Sequence, residues 1–355
     1  MKNPVWFQRK SLFLGTGLLL LYAQGCNVSK KNAVQKDKFA DHVRTTEFRT
    51  PEQERKGFQL PPGFEITLFA SEPQIAKPIN MEFDDRGRLW VTHSTEYPMP
   101  AAPGAGKDKI TILEDTNGDG KADHFTDFQG GLNIPIGIMP VSDGAIAYSM
   151  PNVYHFTDSN NDGKADKSKV LFGEFGHRDT HGMVSNLMRG FDGWIQSCHG
   201  YNNTSTIAGT DGDSITMVSG NTFRFRMDGS RVEQTTYGRV NPFGYAYDER
   251  GFLYSVDCHS KPIYQLIKGA DYPHFGKRPT GIGFAPEMMS YELGSTALSG
   301  LVYYLGEQFP AEYRNSFYNG DVVTCKVSRN TITFKGSTPV SKKEADFLVS
   351  EDPWF

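Results

Sequence analysis

Two acidic loops of nine residues have the composition of a site for a hard cation. They occupy residues 115–123 and 158–166, 43 residues apart. Each carries Asp or Asn at positions 1, 3, 5 and 9 and Gly at position 6, the pattern with which a short loop surrounds Ca²⁺. The carbonyl groups of Lys121 and Lys164, at position 7, would add one more oxygen to each set. The predicted side-chain ligands are Asp115, Asn117, Asp119 and Asp123 in the first loop and Asp158, Asn160, Asp162 and Asp166 in the second.

These loops differ from an EF-hand. Position 12 holds Thr126 or Lys169 where an EF-hand uses Glu, and no helical pattern flanks either loop. The pattern resembles the calcium hairpin loops of integrin-type propellers, which implies a structural role for the ion. The alternative is a pair of solvated turns, because Asn, Asp and Gly favour turns in any case.

A second group of residues has the types that proton transfer or metal binding requires. His93, His199 and Asp257 each lie six residues after a glycine that ends a polar turn, and Met150 occupies the fourth such position. Neutral imidazole acts as a base or as a metal ligand near pH 7. The alternative for any single histidine is a hydrogen-bonded structural role. Further candidates nearby in the sequence are Cys198, Cys258, His259 and Lys261, together with His181, which follows Asp179.

Short strands carry these candidates. Polar turns that end in glycine precede alternating apolar runs four times, at intervals of 57, 49 and 58 residues. These intervals, and the 43 residues between the acidic loops, suit four-stranded propeller blades. The sequence therefore predicts an all-β fold, a β-propeller of about six blades over residues 60–355, and it stops at what reads as the approach to another blade. Equivalent strand ends would then meet at one mouth of the central channel. The turn glycines are Gly87, Gly144, Gly193 and Gly251.

The N-terminus has the pattern of a bacterial lipoprotein. Basic residues precede an apolar run that is too short to span a membrane, and small residues lead to Cys26. We expect residues 1–25 to be a signal peptide and Cys26 to be lipidated, which places the protein outside the cytoplasm on a membrane. The alternative is an ordinary secretory signal. Residues 26–59 read as a polar tether that ends in a short helix over 51–57, which the capping box Thr50-Pro-Glu-Gln predicts.

Charge and cysteine content narrow the function classes. The net charge is −4 over 355 residues, and no basic tract indicates a nucleic-acid partner. With Cys26 lipidated, three cysteines remain, so at least one thiol is free. Cys198 and Cys258 are the favoured disulfide pair, and Cys325 would be left over.

Several segments resemble known propeller enzymes. Residues 180–195, 239–248 and 309–321 resemble segments of the glucose/sorbosone dehydrogenases. More closely, residues 60–355 resemble the membrane-bound dehydrogenase propeller domain of PVC-type haem-binding proteins. The segments that carry this second resemblance are 60–65, 115–123, 257–262, 283–289 and 350–355.

The resemblance implies a chemistry and a set of site residues. The related dehydrogenases use pyrroloquinoline quinone with calcium, and a histidine, here His181 by motif, removes the hydroxyl proton of a sugar. Arg239 and Asn241 are implied pocket residues, but Val240 separates Arg239 from the Asn-Pro pair that it adjoins in those enzymes. Because successive side chains of a strand point to opposite faces, this shift of one residue would turn Arg239 away from the site. PVC-type relatives often carry a Cys-x-x-Cys-His haem segment, which this sequence lacks, so the sequence shows no exit for the electrons. A cytochrome c is the candidate electron acceptor.

Three functions remain open at this point. The first is an oxidoreductase for a sugar or polyol with a quinone-type cofactor. The second is a metal-dependent lyase or hydrolase acting on carbohydrate, with a divalent ion held at the channel mouth by His93, His199 and Asp257. The third is a non-catalytic surface propeller that binds glycans through its many aromatic residues.

Overall fold

The computed structural model describes residues 47–258, 263–274, 288 and 297–353. The first element is helix α1, Pro51–Gly57, and it begins at the predicted capping box. The Gln53 N–H donates to the Thr50 hydroxyl at 3.3 Å, and the Thr50 N–H donates to Gln53 Oε1 at 2.8 Å. Within the described ranges, no helix has the length and apolar character needed to cross a membrane.

The rest of the described chain is built from strands that form five blade-like antiparallel sheets, which confirms the predicted all-β class. Strand β1 (Phe58–Gln59) belongs to the last sheet. Blade 1 contains β2 (Pro78–Phe83), β3 (Leu89–His93), β4 (Asp108–Glu114) and β5 (His124–Leu132). Blade 2 contains β6 (Gly137–Val141), β7 (Gly144–Ser149), β8 (Asn152–Thr157) and β9 (Lys167–Phe172).

The remaining blades have additions to this plan. Blade 3 contains β10 (Ser185–Arg189), β11 (Trp194–His199), β14 (Asn221–Arg226) and β15 (Val232–Gly238), with a separate hairpin of β12 (Thr204–Ala208) and β13 (Ser214–Val218). Blade 4 contains β16 (Pro242–Tyr247), β17 (Leu253–Asp257) and β18 (Tyr264–Gln265), and β19 (Asp271–Tyr272) pairs with β15. Blade 5 contains β20 (Leu298–Tyr303), β21 (Phe317–Asp321), β22 (Lys326–Lys335), β23 (Thr338–Lys343) and β24 (Leu348–Ser350). Short 3₁₀ helices occupy Thr180–Gly182 and Ala311–Tyr313.

The blades pack in chain order around one centre. The first strands of successive blades contact each other, β2 with β6, β6 with β10, β10 with β16, and β16 with β20. Apolar side chains fill the spaces between blade faces, as where Trp90 and Ile112 of blade 1 meet Ala147 of blade 2. The N-terminal strand β1 pairs with β24, so that the beginning of the described chain completes its last blade.

The predicted turn glycines separate the first and second strands of four blades. Gly87, Gly193 and Gly251 have φ values of 79°, 75° and 81°, a conformation that costs glycine little. The strands that follow these turns are therefore second strands, not the innermost ones. The place of each strand within its blade therefore decides where the predicted histidines lie.

Candidate active site in the central cavity

A cavity of about 650 Å³ lies where the five blades meet. Its walls come from the starts of first strands, from the segments just before them and from the segments that follow second strands, so one end of every blade contributes. Blades 1 and 2 supply Lys77, Pro78, Ile79, Ser94, Tyr97 and Ile136. Blade 3 supplies Asp179, His181 and Tyr201, blade 4 supplies Asn241, Phe243 and Cys258, and blade 5 supplies Ala297, Ser299 and Val322.

A histidine and a carboxylate form a hydrogen-bonded pair in this cavity. Nδ1 of His181 lies 3.0 Å from Oδ1 of Asp179, and the side chain of His181 is 60% exposed. The same carboxylate oxygen accepts the His181 backbone N–H at 3.0 Å and caps the 3₁₀ turn. Because a carboxylate only accepts, Nδ1 carries the proton and Nε2 keeps its lone pair for another partner. The pair is therefore arranged as a general base with an orienting carboxylate.

Buried contacts fix the turn that carries this pair. Asn203, which is 1% exposed, accepts the Asp179 N–H and donates to the carbonyls of Asp179 and Gly182. The Thr180 hydroxyl donates to the Pro98 carbonyl at 2.8 Å. A Cβ at Gly182 would come within 2.5 Å of the next loop's backbone, which explains why glycine follows His181.

Tyr97 is the aromatic neighbour of the histidine. The rings of Tyr97 and His181 meet edge to face with centroids 5.5 Å apart. Burial, with smaller effects of Cys258 and Asp179, raises the pKa of Tyr97, so that its phenol is neutral at physiological pH. Tyr97 therefore offers a ring and a hydroxyl, but no negative charge, to a ligand.

A buried carboxylate holds the loop that presents Tyr97. Asp108 is 1% exposed, and it accepts hydrogen bonds from the Ser94 hydroxyl, the Thr95 N–H and the Ile134 N–H at 2.7 to 2.9 Å. Burial alone would raise the pKa of Asp108, but its hydrogen bonds, beginning with that from Glu96, lower it. The carboxylate stays ionised and ties blade 1 to the start of blade 2.

Asn241 and Cys258 form the wall from blade 4. Asn241 Oδ1 accepts the Tyr201 N–H at 2.7 Å, and the Asn241 carbonyl accepts the Cys258 N–H at 3.1 Å. Burial, followed by the charge of Asp257, raises the pKa of Cys258 to about 12, so its thiol is protonated and unsuited to nucleophilic chemistry. The predicted disulfide is wrong, because Cys198 and Cys258 are both free thiols.

The structure places His93 and His199 in the blade cores. His199 is fully buried, with Nδ1 2.8 Å from the Ser219 carbonyl and Nε2 2.7 Å from the Ser205 hydroxyl. His93 is 2% exposed, and its Nδ1 accepts the Ala76 N–H at 3.0 Å. Both residues end second strands and bond to groups of their own blades, and neither lines the cavity.

Arg239 and Asp257 also lie in the core, where they form a buried ion pair. Both side chains are fully buried, and Arg239 Nε lies 3.3 Å from Asp257 Oδ2. Arg239 donates to the Val256 carbonyl at 2.7 Å, and Asp257 accepts the Val240 N–H at 2.9 Å. The pair therefore anchors the turn that leads into β16 and presents Asn241.

The candidate divalent-metal site does not assemble from these residues. His93, His199 and Asp257 end three different strands, and each has its own partners. Within the described ranges, no three His, Cys, Asp or Glu side chains form a group that could hold a metal ion. His259, Lys261 and Cys26 lie outside the described residues.

The two acidic loops occupy equivalent places in neighbouring blades. Residues 115–123 connect β4 to β5, and residues 158–166 connect β8 to β9. In each loop the first Asp accepts an N–H from the glycine at position 6 at 2.8 Å. The Gly120 N–H is the main cause of the lowered pKa of Asp115, so this carboxylate is ionised. The exposed oxygen donors suit calcium better than a transition metal, although they now face N–H groups of their own loops.

Each loop also hydrogen-bonds to a chain segment that lies earlier in the sequence. The Ala122 N–H donates to the Phe69 carbonyl at 2.9 Å, and the Ala165 N–H donates to the Phe128 carbonyl at 2.9 Å. Phe128 belongs to the outer strand of blade 1, so the loop of blade 2 contacts its neighbour directly.

Several residues of the site were not predicted from the sequence, among them Tyr97, Lys77 and Asn203. Tyr97 and Lys77 line the cavity, and Asn203 holds the turn that carries His181. Tyr97 and Lys77 carry no motif, and Asn203 lies in an Asn-Asn pair that reads as an ordinary turn. Only the folding of distant segments onto one another identifies them.

Comparisons with known proteins support the fold. A family model described as a domain of unknown function, DUF7133, matches residues 50–355. No curated protein matched the chain.

Three solved structures resemble the chain at low sequence identity. The PQQ-bound aldose sugar dehydrogenase of Streptomyces coelicolor has a TM-score of 0.54 and 14% identity, and the match covers 81% of this chain and 85% of that one. The PQQ domain of a pyranose dehydrogenase from Coprinopsis cinerea has a TM-score of 0.53 and 12% identity, and the match covers 83% of this chain and 87% of that one. An oxidoreductase from Thermus thermophilus that is described as a glucose dehydrogenase has a TM-score of 0.51 and 11% identity, and the match covers 76% of this chain and 84% of that one. At this identity the likeness establishes the propeller fold.

Proposed function

The chain belongs to the family of unknown function DUF7133, and we propose that it is an extracytoplasmic sugar or polyol oxidoreductase that works with a quinone cofactor. The observation that carries this proposal is the pair of His181 and Asp179 in a cavity at the centre of the propeller. The resemblance of segment 180–195 to the glucose/sorbosone dehydrogenases supports the same role for His181.

His181 would accept the proton of a substrate hydroxyl. Its Nε2 is the ring nitrogen left as an acceptor when Nδ1 donates to Asp179. As the proton arrives, the Asp179 carboxylate stabilises the positive charge that forms on the imidazole, without itself taking the proton. Asn203 keeps this carboxylate in place through the backbone of Asp179.

The described walls fit a planar quinone. The cavity offers the rings of Tyr97, Tyr201 and Phe243, and aromatic rings favour stacked or edge-on contacts with a flat ligand. Asn241 and Ser299 add polar groups at the same walls. When bound, a pyrroloquinoline quinone would supply a two-electron acceptor for the hydride of the substrate carbon.

The electrons need an acceptor beyond the cavity. The acceptor that we propose is a cytochrome c. Lipidation at Cys26 would hold the propeller at a membrane surface outside the cytoplasm, where such an acceptor is available.

Calcium would have a structural role at the two acidic loops. Their oxygen donors lie on equivalent hairpins, and each loop donates an alanine N–H to a carbonyl of an earlier chain segment. An ion bound in each loop would draw the exposed carboxylates of that loop together and rigidify its hairpin.

Dye-linked oxidation of a panel of sugars and polyols tests the proposed function. The purified protein is assayed with and without pyrroloquinoline quinone and calcium, beside His181→Ala. The matched control is His124→Ala, which removes an exposed histidine on β5 whose ring contacts Glu114. We expect cofactor-dependent turnover that His181→Ala lowers at least a hundredfold and His124→Ala leaves unchanged. Absence of both turnover and quinone binding would overturn the proposal and favour a glycan-binding propeller.

A further inference from the structure

Lys77 lines the cavity and has no carboxylate partner among the residues that the structure describes. Among the described residues that line the cavity, Lys77 is the only lysine or arginine. The Lys77 ammonium donates to the Tyr97 carbonyl and lies 5.9 Å from the centroid of the Tyr97 ring. An ammonium has three donors, so two remain for a ligand.

The fold holds Lys77 in an unusual backbone conformation. Its φ is 46°, in the left-handed region that a residue with a side chain enters at a cost, and Pro78 follows it. Hydrogen bonds fix the backbone on both sides. The Ala76 N–H donates to His93 Nδ1 at 3.0 Å, and the Ser94 N–H donates to the Lys77 carbonyl at 3.1 Å. The buried His93 therefore helps to set the position of this lysine at the mouth.

Lys77 and the candidate base are placed around the same ring. The ammonium lies 5.9 Å and the His181 ring 5.5 Å from the centroid of Tyr97. A ligand that contacts Tyr97 could therefore meet both a positive charge and a proton acceptor. The cavity walls also include the apolar side chains Ile79 and Ile136.

We propose that Lys77 binds a carboxylate of the cavity ligand, so that this site takes acidic molecules in preference to neutral ones. Two sources share this chemistry, an acidic sugar such as a uronate and a carboxylated quinone cofactor. A charge-assisted hydrogen bond is stronger than a neutral one, and apolar walls leave the charge fewer competing partners. This inference rests on the proposed function for the identity of the ligand, but it concerns binding and needs no turnover.

Calorimetric titration of the full chain tests the proposal directly. The wild type, Lys77→Met and Lys77→Arg are each titrated with glucuronate, with glucose and with pyrroloquinoline quinone. Lys343→Met is the control, because it removes the same charge from an exposed position on β23. We expect Lys77→Met to weaken binding of the acidic ligand about tenfold or more, Lys77→Arg to retain most of it, and Lys343→Met to have no effect.

The pattern across ligands separates the two sources. A loss confined to glucuronate assigns the lysine to the substrate carboxylate, and a loss confined to the quinone assigns it to the cofactor. Unchanged binding of both acids in Lys77→Met, or no binding of either acid by the wild type, would overturn the inference. Acid binding that depends on Lys77 without any sugar oxidation would instead contradict only the proposed function.

Discussion

The side chain of Asn203 hydrogen-bonds both backbone groups of Asp179. It accepts the Asp179 N–H at 3.0 Å and donates to the Asp179 carbonyl at 2.8 Å. Asn203 lies between β11 and the inserted hairpin of blade 3, so this insertion positions the carboxylate that orients His181.

Replacing Asn203 by Ala should impair catalysis beyond its effect on stability. The backbone groups of Asp179 would lose partners, which costs about 1–3 kcal/mol in the free energy of unfolding. Misplacement of the base should lower kcat about a hundredfold. Urea unfolding and steady-state kinetics measure the two effects, and Thr216→Ala, on the exposed face of the same hairpin, is the control. A kcat equal to that of the control would show that Asn203 does not position the base.

Replacing Asp179 by Asn should disturb the tautomer and orientation of His181. The NH₂ of the uncharged amide can donate to Nδ1 and hold the ring in the wrong tautomer. We expect kcat/KM to fall by at least a hundredfold and the imidazole proton to leave Nδ1. Nitrogen-15 NMR of the His181 ring is the decisive readout, since a merely structural defect would lower the rate without changing the tautomer.

The buried pair of Arg239 and Asp257 should behave as one unit in stability measurements. Removing one partner leaves a buried charge, so Arg239→Met or Asp257→Asn should each lower the free energy of unfolding by about 3–5 kcal/mol. The double variant should lose less than the sum of the two single variants. Strict additivity in urea unfolding would indicate that the two charges do not interact.

Much of the fold follows from local sequence, whereas the site does not. Capping chemistry at Thr50 and the turn glycines such as Gly87 are local signals, and the structure has the elements that they predict. The position of His93 depends on whether its strand is first or second in a blade, which neighbouring sequence does not encode. Lys77 and Tyr97 meet His181 through contacts across blades, and those arise only when the whole sheet arrangement forms.

Acidification should destabilise the protein through its buried histidines. Burial, with a smaller effect of Lys109, lowers the pKa of His93 to about 4, and burial also lowers the pKa of His199. The unfolded chain therefore binds more protons below pH 6.5, so stability falls as the pH drops from 6.5 toward 4, by about 3 kcal/mol for His93 alone.

The variant His93→Gln isolates this contribution. Glutamine can still accept the Ala76 N–H but does not titrate, so melting temperatures measured from pH 7 to pH 5 should fall less steeply than in the wild type. The same slope in both proteins would contradict the assignment to His93.

Calcium should raise the melting temperature through the acidic loops. At a concentration a hundredfold above its dissociation constant, one ion adds about 2.7 kcal/mol, which corresponds to roughly 3–4 °C for a chain of this size. A chelator should reverse the shift, and Asp119→Ala with Asp162→Ala should abolish it. No response of the wild type to either calcium or chelator would exclude a calcium site here.

Rapid anaerobic mixing of the quinone-loaded protein with a sugar that it oxidises examines the role of His181 within a single turnover. The absorbance change of the bound quinone reports its reduction without any contribution from the electron acceptor. We predict rapid reduction in the wild type and in His124→Ala, and reduction at least a hundredfold slower in His181→Ala with the quinone still bound. Equal rates in all three proteins would contradict the role of His181 as the base.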